Sequence, residues 1–267
     1  RTQFAAFSSQ IKGERELDES VWKLLISFPC WPQPMEALRT TVSALSSCDP
    51  EANDQGPAAN LNKALSLAAK MPTAVAYYAR HSEGKARVHP DPELSLAGNF
   101  LYMLRGERAT AGEERAMDLA LILMAEHGMN ASTFAARVTA STLSDMYSAI
   151  TSAIGTLKGP LHGGANERAM AMLLEIGDIE RVEQYIKGKL AAKERIMGFG
   201  HRVYRVMDPR ARYLSGMLCS VGSEGVDVRW CEMALRVAEI MEREKGLYPN
   251  VDFYTAPLLY TLRIPLD

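Results

Sequence analysis

The sequence predicts an all-α protein. Apolar side chains recur at helical spacing along almost the whole chain, and alternating β-branched runs are nearly absent. Prolines and capping residues also stand where the apolar stretches should begin as helices. With 47% hydrophobic and 23% charged residues, the 267-residue chain is ordinary globular material that can bury a sizeable core. The net charge of −2 supplies no global field for a nucleic acid or an anionic membrane, so any anion must be caught by a local constellation.

The first helix is expected over Glu19 to Ile26, and Pro34 sits where a first-turn proline opens Met35 to Ser46. A polar loop at Asp49 to Gln55 precedes Ala58 to Lys70, after which Pro72 reads as the start of a separate helix to His81. Asp91 followed by Pro92 offers a carboxylate cap and a proline at the first helical position, opening Pro92 to Leu104. Gly112 to Glu126 ends beside His127, and Asn130 introduces Ala131 to Thr139. Leu143 to Leu157 stops at Gly159 and Pro160, and Ala165 to Glu175 and Ile179 to Lys189 follow. Asp208 and Pro209 repeat the cap-and-proline start for Pro209 to Leu218, before Asp227 to Lys245 and Phe253 to Leu262.

The longest uninterrupted apolar run, Leu119 to Ala125, is far short of the ~18 residues of a membrane span. The first twenty residues carry charges and no apolar core of a signal peptide, so the expectation is a soluble, cytoplasmic protein. Cys30, Cys48, Cys219 and Cys231 show no CxxC spacing and read as reduced thiols of such a compartment.

Three stretches break the helical rhythm and carry reactive side chains: Lys158 to Asn166, Gly198 to Arg210 and Pro249 to Tyr254. In the first, His162 sits before a helix N-terminus, whose positive end disfavours imidazolium. It is either a neutral hydrogen-bond donor to a developing oxyanion or a structural histidine between two helices. In the second, Gly198 and Gly200 leave the backbone bare around Phe199, suiting a flat ring or a pantetheine arm, and His201 follows. Arg202, Arg205 and Arg210 then form either sites for carboxylates and phosphates or a solvated basic loop. In the third, Asp252 precedes an apolar helix and is either its N-cap or a desolvated carboxylate suited to removing a proton from carbon. His127, at a helix C-terminus, could carry positive charge toward an anion or be a satisfied core residue. No histidine pair has the i, i+4 spacing of a helical metal site, so no metal is expected.

The segments PELSLAGNFLYML (Pro92 to Leu104), AEHGMNASTFAARV (Ala125 to Val138), GPLHGGANE (Gly159 to Glu167), GFGHRVYRVMDPR (Gly198 to Arg210) and NVDFY (Asn250 to Tyr254) resemble the citrate synthase family. The likeness is to its short bacterial and archaeal type, which includes 2-methylcitrate synthases. The resemblance implies a helical fold with a large domain, here an incomplete 1–163, and a smaller one, 164–267, closing over the substrates. It implies condensation of acetyl-CoA with oxaloacetate, acyl-CoA being a co-substrate with no tightly bound cofactor, in a homodimer or higher homo-oligomer. Carried over by motif, Asp252 removes a methyl proton, His162 donates to the thioester oxygen and His201 binds and protonates the oxaloacetate carbonyl. His127 and Arg210 match oxaloacetate-binding positions. Arg205, the Ile196 to Gly200 backbone (with Gly198) and Asn250 match coenzyme A contacts.

Two further expectations accompany these. The family continues beyond both Arg1 and Asp267, with further substrate-binding arginines, so the 267-residue chain by itself is expected to be catalytically crippled or unstable. The rival readings are a 2-methylcitrate synthase using propionyl-CoA, or a non-catalytic helical relative kept as a dimerisation partner.

Overall fold

Five of the described α-helices open on a capping side chain, and not always the one a neighbouring proline advertises. The computed structural model describes residues 2–28, 34–126, 128–160, 162–200, 206–223 and 227–266, among which there are thirteen α-helices and no strand. They group into two units. The first comprises Arg1–Arg108 with His127–His162, and the second Ala109–Glu126 with Gly163–Asp267.

The first unit contains α1 (Thr2–Gly13), α2 (Glu19–Ser27), α3 (Pro34–Leu45), α4 (Pro57–Ser82), α5 (Leu96–Arg105), α7 (Ala131–Ser141) and α8 (Met146–Leu157). Pro72 does not start a helix: it lies inside the 26-residue α4. An interior proline costs about 3 kcal/mol. Burial of Ala69, Thr73, Ala74, Ala76 and Tyr77 around it, and the Thr73 hydroxyl donating to the Arg15 carbonyl at 2.6 Å, offset that cost.

Nor does Asp91 cap a helix at Pro92. Its carboxylate accepts from Glu93 N–H at 2.9 Å and pairs with Arg108, which holds it below the usual carboxylate range, the backbone bond contributing most. Ser95 caps α5 instead, accepting from Gly98 N–H at 3.0 Å. Asn130 caps α7 and Asp145 caps α8, which begins at Met146, three residues after the expected Leu143 start. The 49–55 loop is braced by buried Lys63, which donates to the carbonyls of Ala52 and Asp54, and it reaches α8 through Tyr147 donating to Asp49 at 2.7 Å.

The second unit holds α6 (Ala111–Met124), α9 (Ala165–Ile176), α10 (Val182–Ala191), α11 (Pro209–Ser223), α12 (Arg229–Lys245) and α13 (Val251–Thr261). A capping box between Thr110 and Glu113 starts α6, which packs on α11 and α13, although a division at 163/164 would leave it with the N-terminal half. At the centre lies α13, packed by α9, α11 and α12, with Val251 and every residue from Phe253 to Leu258 buried. Cys219 on α11 and Cys231 on α12 form a disulfide, with Cα atoms 5.1 Å apart, contrary to the expectation of reduced thiols. Helix packing brings them within the separation a disulfide needs, which spacing in the sequence cannot reveal.

Candidate active site

Asp252 owes its setting to the residue two before it. The N-cap of α13 is Asn250, whose Oδ1 accepts the Asp252 N–H at 3.0 Å. Asp252 is therefore not the cap: it stands in the first turn, half-buried, as the open position between buried Val251 and buried Phe253. Burial pushes the Tyr254 phenol, two residues on in the same helix, up to about 12, so that ring stays neutral.

The glycine loop is fastened to the same helix start. Phe199 and Pro249 form an isolated antiparallel bridge, Gly200 N–H donates to the Tyr248 carbonyl at 3.0 Å, and Asn250 N–H donates to the Gly198 carbonyl at 2.9 Å. The Asn250 Nδ2 donates to the Gly200 carbonyl at 3.1 Å, so both ends of this carboxamide are used within the protein. Gly198 has φ +81°, and a Cβ there would lie 2.6 Å from the Phe253 Cβ. This glycine admits Phe253, whose ring sits 4.6 Å from that of Phe199, and it does not offer its bare face to a ligand as expected. Gly200, φ +78°, has open space where a side chain would be. The Ile196 side chain is buried.

Arg210 opens α11 beside Asp208, a fully buried carboxylate that accepts the Arg210 backbone N–H at 2.9 Å. The same carboxylate takes the guanidinium through Nε at 3.1 Å and Nη2 at 2.7 Å. One edge of the guanidinium is thereby fixed, which orients the group and removes most of its rotamer freedom. The expected anion site is thus aimed by an internal carboxylate.

In the first unit, the His162 N–H donates to the Gly159 carbonyl at 2.9 Å, closing the turn at the tip of its loop. Its Nε2 lies 2.8 Å from the hydroxyl of Ser132 in the first turn of α7, whose cap Asn130 accepts from Thr133 N–H at 2.9 Å. Ser132 was not singled out by sequence reasoning, although it stands in the AEHGMNASTFAARV segment. A groove of about 490 Å³ runs beside it between α7 and α8, with Asn130, Thr133, Ala149 and Ala153 among its walls. His127, His201 and Arg205 lie outside the described residues.

Residues 1–267 match the family model "Citrate synthase, C-terminal domain". The chain is 46% identical over 267 residues to a citrate synthase of Haloferax volcanii, covering 98% of this chain and 70% of that protein. It is 51% identical over 234 residues to citrate synthase 2 of Bacillus subtilis, covering 88% and 63%. With a 2-methylcitrate synthase of Mycobacterium tuberculosis the identity is 44% over 260 residues, covering 97% and 66%. The chain thus spans roughly two thirds of the length of these relatives.

Among solved structures, the citrate synthase of Pyrobaculum aerophilum superposes with a TM-score of 0.92 at 35% identity, over 100% of this chain and 70% of that one. The ternary complex of the Thermoplasma acidophilum citrate synthase with carboxymethyl coenzyme A and oxaloacetate gives 0.90 at 31%, over 100% and 71%. A capped carboxylate tied to a glycine loop, an arginine aimed by a buried aspartate, a serine-held histidine and these whole-chain likenesses agree: the chain belongs to the citrate synthase family.

Proposed function

We propose that the chain carries the catalytic groups for condensing acetyl-CoA with oxaloacetate to give citrate and free coenzyme A. The observation that carries this reading is the placement of Asp252 as the half-open position of a buried helix, hydrogen-bonded to the loop that leads to His201. A carboxylate alone is too weak a base for a thioester methyl group, so the electron pair needs a donor at the oxygen where it arrives. His162 is that donor. Donation to the thioester oxygen from Nδ1 requires the tautomer in which Nε2, 2.8 Å from the Ser132 hydroxyl, is the acceptor of that contact. One such donor contributes on the order of 3 kcal/mol to the transition state.

Asp252 takes the methyl proton as the C=C of the enolate forms, with the negative oxygen held by the His162 hydrogen bond. The enolate carbon attacks the oxaloacetate carbonyl carbon, whose oxygen takes a proton from His201 as the thioester C=O re-forms, and water then cleaves the citryl thioester to citrate and the coenzyme A thiol. Arg210, oriented by Asp208, and His127 hold the dicarboxylate. Arg205, Gly200 and the backbone from Ile196 through Gly198 face the acyl-CoA, the residues 196 and 198 through main-chain atoms because their outer faces are filled. No tightly bound cofactor takes part.

The solved Thermoplasma complex, with a coenzyme A analogue and oxaloacetate, supports this choice of substrates. The Mycobacterium 2-methylcitrate synthase at 44% identity supports propionyl-CoA as the second reading. One methylene is worth only ~1 to 3 kcal/mol in a pocket, so a competition between the two thioesters decides between them. We further assign the enzyme to the cytoplasm and to a homodimer. The exposed Phe134 and Val138 on α7, a helix with no buried residue, suit cover by a second copy.

The test is release of coenzyme A thiol from acetyl-CoA plus oxaloacetate. Asp252→Asn, which keeps the shape and removes the base, is expected to lower kcat by about 10²-fold or more. With both proteins in the full-length form, turnover by the Asn variant equal to that of the unsubstituted enzyme, or none by either, defeats the reading.

A further inference from the structure

We infer that Asn250 is a positioning residue: its carboxamide locks the start of the helix carrying Asp252 to the carbonyl of Gly200, the residue before His201 in the sequence. The catalytic part of this inference rests on the proposed condensation, whereas the clamp itself rests on geometry alone.

Residue 250 makes three hydrogen bonds, and each joins the same two segments or caps the helix. Its Oδ1 accepts from Asp252 N–H, its Nδ2 donates to the Gly200 carbonyl, and its backbone N–H donates to the Gly198 carbonyl. The Gly200 N–H closes the ladder on Tyr248. Packing reinforces it, because Phe253 occupies the space left by the missing side chain of Gly198. The acceptor ends on the residue that carries the base, and the donor ends on the residue immediately before His201.

Few side chains can do both. The site needs an acceptor at capping distance and a donor on the same short stem. Asp has the acceptor without the donor, Ser caps but is too short to reach Gly200 as well, and Gln displaces both ends by a methylene. A carboxamide engaged at both ends is poorly placed to serve acyl-CoA as its main partner, which is the role the family resemblance implies. The two roles separate kinetically: a contact to acyl-CoA governs KM, and a clamp governs kcat.

The experiment compares Asn250→Ala, Asn250→Ser and Asn250→Asp in the whole enzyme with three readouts. The first is exchange of the acetyl-CoA methyl protons with deuterated water, in the presence of a dicarboxylate analogue of oxaloacetate that cannot condense, which reads Asp252 alone. The second is steady-state thiol release with oxaloacetate, giving kcat and KM. The third is amide hydrogen exchange at Gly200 and Asp252.

Loss of both ends in Asn250→Ala is expected to lower methyl exchange and kcat ~10- to 100-fold, as for a misplacement of about 1 Å. The acyl-CoA KM is expected to change by less than about threefold. Asn250→Ser and Asn250→Asp keep a cap, so methyl exchange should recover to within about threefold of the unsubstituted enzyme, while kcat for condensation stays about tenfold low. The Gly200 amide should lose protection in all three variants, and the Asp252 amide only in Asn250→Ala.

A raised KM with unchanged kcat overturns the inference, as does Gly200 protection equal to that of the unsubstituted enzyme. Should Asn250→Ala fail to fold, Ser and Asp decide by the split between the two rates. If the unsubstituted enzyme neither exchanges methyl protons nor condenses, it is the proposed function that fails, and the hydrogen-exchange readout still decides the clamp.

Discussion

Gly198 and Gly200 share a left-handed backbone and differ in what surrounds them. A β-carbon at 198 would strike Phe253 at 2.6 Å, whereas at 200 it meets nothing within 4 Å. Gly198→Ala therefore adds a clash to the backbone penalty and should cost at least ~3 kcal/mol, while Gly200→Ala should cost only ~1 to 2 kcal/mol. Urea unfolding of the two variants measures the difference, and equal midpoints would contradict the packing. At His162, Ser132→Ala removes the hydroxyl 2.8 Å from Nε2. With about 1 to 1.5 kcal/mol for the lost hydrogen bond, kcat should fall roughly tenfold with little change in KM. The side chains proposed to meet the substrates stood out in the sequence as histidine, aspartate and arginine at breaks in the helical rhythm, while their roles came from the family resemblance. Asp208 was visible only as a helix cap, Asn250 only as a coenzyme A contact implied by the resemblance, and Ser132 not at all. Their actual partners are defined by three-dimensional proximity, and capping propensity says nothing of a second bond.

At the scale of elements, propensity located helices well and joined them badly. Pro72 and Pro92 both looked like helix starts, yet one lies inside α4 and the other ahead of Ser95, the true cap of α5. Core packing around Thr73 outweighed the lost hydrogen bond in the first case, and in the second the Asp91 carboxylate was already taken by Glu93 N–H and Arg108.

An ionic network spans α10 and α12. Glu183 meets Lys187 at 2.9 Å, Arg236 at 2.6 Å and Arg243 at 3.0 Å, and these cations, Lys187 foremost, hold its carboxyl down at about 2 against an ordinary 4.5. A carboxylate depressed by folding contributes stability that is complete above its unfolded pKa and is lost as pH falls toward the folded value. The window here is pH 4.5 down to about 2. Glu183→Gln should accordingly flatten the pH dependence of the melting temperature in that window, in a direction that added salt also favours because the network is exposed. An unchanged slope would remove this network from the acid response.

For the whole molecule, the all-α class was plain from periodicity, whereas the assignment of α6 to the second unit was not, since a helix's partner is chosen by tertiary packing. The Cys219–Cys231 disulfide was equally hidden. It closes a short loop between α11 and α12, 12 residues apart in sequence, and its removal in Cys219→Ser should lower stability by about 3 kcal/mol in the oxidised protein. The same substitution should have little effect once the unsubstituted protein has been reduced. Peptide mapping without reductant tests the bond directly, by the presence of a cross-linked Cys219–Cys231 fragment.

The hydroxyl that steadies His162 belongs to α7, a helix that buries none of its residues within its own chain and leaves Phe134 and Val138 bare. Whatever shelters that bare flank also stiffens the aim of the imidazole. If a second subunit is the shelter, diluting the enzyme should blunt its turnover before any unfolding is seen, tying catalytic quality to assembly through one serine.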